Sequence, residues 1–498
     1  MANFTHVSTF VGGPFVHSDG ITDLVVAGVK GNPRLYSASY ADGGLQALAL
    51  HEGAAATFHD AISAGPTRGT YGVCDLAFGN VKGTEILVPA GKFDDAAAYH
   101  VLGNDGGFES VALIDAPTGR LDCFTQTEVV RYASKSFLFA SQAGESGFQR
   151  FNIRADLSTI YRHTQEDEPD MFLGDISAMD SLRVGRRSFL FTASAMDAGI
   201  HSFQITSVGE TVLRDSVAPG DRSGFARVSV LETVHSGKNN FLLVGSAGTD
   251  SITVYRLSNT GRLTETDHRQ DSLETRFDNI AALTAFEHSG RAFVLAGGSD
   301  DGLTLFEISP NGRLFLLAVV ADEMATTLNN VQAIAVQAYD SDIQVFAAGS
   351  GEAGITQLRV DLGDIGTLIE GTGRREVLTG GDGNDLILGK KGRDTLRGGA
   401  GDDRLMDGVG KDVMIGGPGA DVFVFQKDGV SDTVKDFVFG EDRLDLSDYD
   451  RLYHISSLEI VTLSWGFRIH VQGETIRIEQ DFPENTAPPE FTQDDFIF

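Results

Sequence analysis

The chain has 498 residues, 41% apolar and 22% charged, which describes a globular chain longer than one ordinary domain rather than a disordered one. Its formal net charge of −31 opposes binding to nucleic acid or to an anionic membrane and suits a protein that binds cations. Cys74 and Cys123 are the only cysteines, too few for a disulfide framework or a zinc motif, and no run is long and apolar enough to span a membrane.

The opening stretch, "MANFTHVSTFVGGPFVHSDG", has neither a basic n-region nor a clean apolar h-region, which argues against a cleaved secretory leader. Repetition then takes over. "FLFASQAGESGFQRFNI" from Phe137, "FLFTASAMDAGIHSFQI" from Phe189, "FLLVGSAGTDSITVYRL" from Phe241 and "FVLAGGSDDGLTLFEI" from Phe293 each place an apolar strand before a Gly/Asp turn. Weaker copies start at Leu24, Ile86 and Ile343, so successive starts lie 62, 51, 52, 52, 52 and 50 residues apart. The fifth unit divides into Phe241–Gly245, Ile252–Leu257, Arg262–Asp267 and Asn279–Phe286, four short runs bounded by turn residues. Seven four-stranded units predict an all-β chain that opens with a seven-bladed β-propeller over residues 1–364. The seventh unit stops near Asp361, and residues 3–20 are expected to supply its missing strands. An open β-solenoid is the alternative.

Alternating connections place the loops after the first and third strands of each unit on one face. The first set carries Asp94, Asp95, Glu145, Asp197, Asp250, Asp300, Asp301 and Glu352; the second begins with Asp115, Asp215, Asp267 and Asp322. Asp beside Gly builds tight turns without any ligand, so turn chemistry and a cation- or ligand-binding face both remain open. Ten extra residues in the first unit, within "HEGAAATFHDAISAGPTRGTYG", predict an inserted loop available for a partner. No GxSxG, HExxH or P-loop is present, and His51, His59, His100, His163 and His201 follow no catalytic spacing. His100 is expected to pack where other units place Phe151, Phe203 and Tyr255. The repeat rhythm loosely resembles lactonase-type propellers, a resemblance that covers no catalytic residue.

From Gly371 the chain falls into register of nine: "GTGRREVLT", "GGDGNDLIL", "GKKGRDTLR", "GGAGDDRLM", "DGVGKDVMI", "GGPGADVFV". Five units keep a fourth-position Gly and a sixth-position Asp: Gly383/Asp385, Gly392/Asp394, Gly401/Asp403, Gly410/Asp412 and Gly419/Asp421. The pattern G-G-x-G-x-D-x-U-x, with U apolar, resembles the RTX (repeats-in-toxin, hemolysin-type) calcium-binding family. The resemblance implies a parallel β-roll over 365–425, with Ile387, Leu396, Leu405, Met414 and Phe423 facing inward. It implies several Ca²⁺ ions, two to four, between stacked turns, because hard oxygen ligands at flexible spacing suit calcium. The candidate metal residues are Asp385, Asp394, Asp403, Asp412 and Asp421, with Gly380, Asp382, Asn384, Gly389, Lys391, Arg393, Gly398, Ala400, Asp402, Asp407, Val409 and Lys411 from the turns. Without the ion the carboxylates repel, so calcium is expected to fold the segment. Arg374 and Glu376 make the first unit a degenerate cap, and Lys390, Lys391 and Asp407 replace early glycines.

Residues 426–498 are expected to form a β cap. "DTVKDFVFGEDRLDLS" resembles the strands that follow RTX repeats, with Val434, Phe437, Leu444 and Leu446 closing the roll, and the final "FTQDDFIF" resembles a type I secretion signal. The expectation is a secreted bacterial protein, extracellular or on the cell surface, exported by the type I apparatus. Its propeller would serve as a binding or assembly platform for a glycan, a protein or further copies of the chain. The missing catalytic motifs favour binding; a secreted lactonase- or phosphodiesterase-like hydrolase with its site in the propeller funnel is the alternative.

Overall fold

The computed structural model describes residues 2–498 except 66, 94–95, 115–123, 169–170, 219–223, 450 and 481–486. The described chain is built from strands and divides into two compact units, Ala2–Asp361 and Leu362–Phe498.

The first unit is a seven-bladed propeller of four-stranded antiparallel sheets. The innermost strands are Ile21–Val29, Val73–Val81, Phe124–Tyr132, Ile176–Val184, Val228–Ser236, Ala282–His288 and Val331–Ala338. In six of the seven blades the second strand is the apolar run that marks the repeat, as in Arg187–Ser194, buried after its first residue. A strand packed by a neighbouring blade on either face must be apolar throughout, whereas an outer strand such as Thr211–Val217 has no buried residue and stays largely exposed. Asn3–Phe10 pairs antiparallel with Ile355–Asp361 and becomes the outer strand of the seventh blade, so one N-terminal strand closes the ring.

The blades begin one strand earlier than the repeat suggested, and this corrects two expectations. Leu24 lies in the inner strand Ile21–Val29, while the other six starts lie in second strands; the first blade's second strand is Asn32–Ser39. The apolar run around Leu24 imitates the second-strand signal. In register, the expected ten-residue insertion disappears: the connections are residues 50–56 and 64–72, close to the 258–262 and 271–281 connections of the fifth blade. His100 also shifts. It occupies the third-strand position of His201 and Thr253, and Leu102 stands opposite the bulge where Phe203 and Tyr255 do. Both histidines are fully buried. His201 Nε2 accepts the N–H of Phe172 at 3.3 Å, and His100 Nε2 contacts the Arg68 carbonyl at 2.9 Å. The equivalent Thr304 and Thr356 accept from the N–H groups of Arg276 and Thr327 at 2.7 Å each. This position ties the third strand to the loop entering the next blade.

The acidic loops also do turn work. Asp197 accepts the N–H of Gly174 at 2.9 Å, Asp250 that of Asn279 at 2.8 Å and Asp301 that of Asn330 at 3.0 Å. Asp215 and Asp267 are not loop residues. They lie inside outer strands and accept the N–H groups of Leu263 and Leu314 in the next blade, each at 2.7 Å, as Asp60 does from Phe108 at 2.8 Å. Asp94, Asp95 and Asp115 fall outside the described residues.

A second set of acids stands on the inner strands. The edge N–H groups there have no further strand to pair with. Asp23 accepts from Leu76 N at 2.7 Å, Asp75 from Thr127 N at 2.7 Å, Glu128 from Ser181 Oγ at 2.6 Å and Glu232 from Ala285 N at 2.9 Å, each reaching the next blade. Burial, then the charge of Asp75, pushes Asp23 up to about 8; burial, then Asp180, does the same for Glu128.

The second unit is a parallel β-solenoid. Three-residue strands stack in two sheets with an 18-residue turn, Ile387 opposite Leu405 and Leu405 opposite Phe423 on one side, Leu378 opposite Leu396 and Leu396 opposite Met414 on the other. The stack continues past residue 425: Val434 follows Met414 and Leu444 follows Phe423. The hairpin strands Glu459–Leu463, Gly466–Val471 and Glu474–Glu479 extend one sheet, and Phe496–Ile497 pairs with Leu444–Asp445 to end the other. One core runs from Ile387 through Phe437, Leu446 and Ile478 to Phe496.

Candidate metal centre

The sixth-position aspartates form two ladders, one on each side of the solenoid. Asp403 Oδ1 accepts the N–H of Asp385 at 2.8 Å, and Asp421 Oδ1 that of Asp403 at 2.9 Å. Opposite, Asp394 Oδ1 accepts from Glu376 N at 2.7 Å, and Asp412 Oδ1 from Asp394 N at 2.6 Å. Each carboxylate thus uses one oxygen to hold the turn that precedes it by 18 residues. Its other oxygen points into the turn. Among the described residues no hydrogen-bond donor meets the buried Oδ2 of Asp394, Asp412 or Asp421, and these side chains are at most 1% exposed. A buried carboxylate oxygen without a donor is costly unless a cation or proton meets it.

The glycines make room for this arrangement. A Cβ on Gly398 would lie 2.1 Å from Asp403 Oδ2, and one on Gly410, at φ +141°, would lie 1.6 Å from the Gly392 carbonyl oxygen. Gly380 faces Asp385 in the same way, its added Cβ 2.1 Å from Oδ2, though that oxygen also accepts the Gly381 N–H at 2.6 Å.

The remaining candidates take several places. Asn384 and Asp402 make an outer ladder, with Asn384 Oδ1 accepting from Asp402 N at 2.7 Å and Asp402 Oδ1 from Ala420 N at 3.0 Å. Lys391 and Val409 pair in a two-residue parallel bridge. Gly389 N–H bonds to Met406 O and Ala400 N–H to Gly381 O, each at 2.9 Å. Asp382, Arg393 and Lys411 carry exposed side chains. Asp407 is buried, with Oδ2 also lacking a donor among the described residues.

Asp432 and Asp442 extend the ladders outside the nine-residue register. Asp432 Oδ1 accepts from Asp412 N at 2.8 Å and Asp442 Oδ1 from Asp421 N at 2.9 Å, while Asp436 accepts from Gly416 and Gly417 at 2.9 Å each. The signal for both extensions is the surviving D-x-U triplet, "DTV" and "DRL".

The electrostatics agree with a site short of positive charge. Burial pushes Asp421 up to about 8 and Asp412 up to about 6, opposed by the N–H each accepts and reinforced by neighbouring aspartates. Among the described residues no three His, Cys, Asp or Glu side chains close on one point. The donor set is therefore one or two carboxylate oxygens per turn together with main-chain carbonyls, which are ligands that calcium accepts and zinc does not.

The sequence profile of the RTX calcium-binding nonapeptide repeat matches residues 370–405 and 388–423. The second unit thus carries calcium-binding β-solenoid repeats of the RTX class, and the ion these repeats bind is Ca²⁺. No curated protein matches the chain. Among solved structures, a structural-genomics protein from Lactobacillus plantarum is 16% identical, with 66% of this chain and 91% of that chain covered and a TM-score of 0.39.

Proposed function

We propose that this is a secreted bacterial protein whose RTX roll folds on calcium after type I export and whose propeller is a binding or surface-assembly platform. The observation that carries the calcium step is the pair of aspartate ladders, in which Oδ1 holds the preceding turn while, among the described residues, Oδ2 of Asp394, Asp412 and Asp421 is buried without a donor. Ligands in this reading are the carboxylates of Asp385, Asp394, Asp403, Asp412 and Asp421, with the carbonyls of residues 380, 382, 384, 389, 391, 393, 398, 400, 402, 407, 409 and 411. In low calcium these carboxylates repel across a core one residue wide. The roll then stays unfolded during export, and external calcium folds it by mass action. The terminal strand Phe496–Ile497, which packs into the folded core, is exposed to an export apparatus only before that step.

For the propeller, support comes from one face. Leu273 and Met324 are fully exposed on loops entering new blades, and Met196 and Phe93 are exposed on loops of the same side. The first two loops are tied down, by Thr275 Oγ1 to Asp271 at 2.8 Å and Thr326 Oγ1 to Asp322 at 2.7 Å. Rigid apolar tips among acids are a feature of contact surfaces.

The test is a Ca²⁺ titration of EDTA-treated protein followed by circular dichroism and thermal melting, with Asp394→Ala/Asp403→Ala/Asp412→Ala alongside. Calcium should create strand signal in the wild type and not in the triple variant. If calcium changes neither signal nor melting, the reading fails.

A further inference from the structure

We infer that the propeller side opposite its acidic loops carries a site for an acidic polysaccharide, seated between the third and fourth blades. The inference rests on the reading of the propeller as a binding platform and gives that platform a partner. Antiparallel blades place every turn between an inner strand and a second strand on one side of the ring, away from the loops of Asp197, Asp250 and Asp301, which follow second strands. In the first five blades these turns, residues 28–34, 80–86, 130–136, 182–188 and 234–240, hold nine Lys or Arg against one acid, the buried Glu85. The whole chain has 39 Lys and Arg against 70 Asp and Glu, so the excess is local. It ends at the sixth blade, where Arg291 is spent on Glu307 at 2.6 Å, and reverses in the seventh, whose turn carries Asp340 and Asp342.

This basic arc opens into a cleft. Tyr132 and Ala133 of the third blade and Arg183, Arg186 and Ser188 of the fourth line a space of about 300 Å³, a volume that suits one substituted sugar ring. Arg183 Nε donates to the Gly185 carbonyl at 3.2 Å, which braces the side chain, and Arg131 is braced in the same way on Ala133 O at 3.2 Å. Among the described residues the terminal nitrogens of Arg183 make no hydrogen bond, and Arg186 makes neither a hydrogen bond nor an ion pair. Ser188 is 3% exposed, yet its hydroxyl has no hydrogen bond among the described residues. Ser136, at the same position of the third blade, donates to Asn80 O at 3.0 Å. An open hydroxyl beside two guanidinium groups fits an oxyanion, which a guanidinium fork binds through two parallel hydrogen bonds. The Tyr132 ring adds an apolar face and a polar tip for the sugar itself. Lys82 in the second blade and Lys238 in the fifth are exposed, so anionic groups further along the same polymer meet cations on both sides. Asp156 and Glu210 stand on the outer turns of these two blades, and Asp156 is held by Ser158 Oγ at 2.7 Å. A nucleic-acid duplex, with one charge about every 1.7 Å of axis, is repelled by a chain at −31 more than a polymer with one anionic group per sugar.

The test uses the full chain at saturating calcium. Isothermal titration measures binding of dextran sulfate and carboxymethyl dextran, with neutral dextran and a DNA duplex alongside, and sedimentation measures self-association. We expect both anionic dextrans to bind and neutral dextran not to; the tighter of the two names the anionic group. Arg183→Gln/Arg186→Gln should weaken binding about tenfold or more, because a hydrogen bond to a charged group contributes about a factor of ten. Arg154→Gln/Arg262→Gln removes the same charge from exposed outer turns and should change affinity by less than about twofold. Equal losses in the two double variants would mean attraction to the whole face rather than a site, and overturn the inference. So would a wild type that binds neither anionic dextran, or that binds the duplex more tightly than both. Self-association lost in Arg183→Gln/Arg186→Gln, with no polysaccharide bound, would give the arc to a second copy of the chain; that result overturns this inference and leaves the platform reading standing.

Discussion

A single aspartate in the roll has two separable tasks. Asp412 holds Asp394 N–H with Oδ1 at 2.6 Å and leaves Oδ2 buried without a donor among the described residues, the oxygen that the proposed function assigns to the ion. Asparagine retains the first task and loses the charge; alanine loses both. Asp412→Asn should therefore fold at a higher calcium midpoint. Asp412→Ala should additionally lose about 1–3 kcal/mol from the unsatisfied buried N–H. Calcium titrations of the two variants by circular dichroism decide this: identical midpoints and melting would mean the ladder bond contributes nothing. At this scale much of the aspartate ladder was legible, because nine-residue spacing fixes which residues recur on one side. Asp432 and Asp442 were not legible in register. They follow Asp412 and Asp421 by 20 and 21 residues instead of 18, the extra residues being absorbed in the turns. Nor could spacing reveal that Asn384 and Asp402 spend their side chains on an outer ladder.

Blades are held to one another by side chains as well as by apolar packing. Asp60, Asp215 and Asp267 each sit on an outer strand next to a bulge and reach the first residues of the neighbouring outer strand. Such a link spans two sheets that share no backbone ladder. Asp215→Ala should lower propeller stability by about 1–3 kcal/mol, read as a drop of several degrees in Tm by calorimetry at saturating calcium. An unchanged Tm would mean that water replaces the link. The four-strand period was readable because the fully buried second strand is the strongest apolar signal in each blade. Where a blade begins was not readable, since the inner strand Ile21–Val29 and the second strand Asn32–Ser39 look alike. That ambiguity alone created the apparent insertion. The clasping aspartates looked like loop acids for a related reason: a bulge lets a charged residue lie inside a strand without entering the core.

Across the whole propeller, the inner-strand acids make stability depend on pH in a direction opposite to that of ordinary surface carboxylates in ion pairs. Unfolded carboxyls titrate near 4. In the folded ring, burial first and neighbouring acids second hold Asp23 and Glu128 at about 8. The folded state thus binds more protons than the unfolded state between those values. The stabilisation is complete below about 4 and is lost as pH rises through about 8. With calcium saturating, so that the roll carboxylates are already occupied, Tm of the propeller should fall as pH is raised from about 5 to about 8. Self-repulsion of a chain at −31 acts in the same direction, so a variant must separate the two. Glu128→Gln keeps an acceptor for Ser181 Oγ, bonded at 2.6 Å in the wild type, and removes the buried charge facing Asp180 and Asp75. It should flatten the slope and raise Tm near pH 8. Glu352→Gln, an identical charge change on an exposed loop, should leave the slope unaltered. Equal slopes in all three proteins would assign the pH dependence to net charge and remove the inner-strand acids from it.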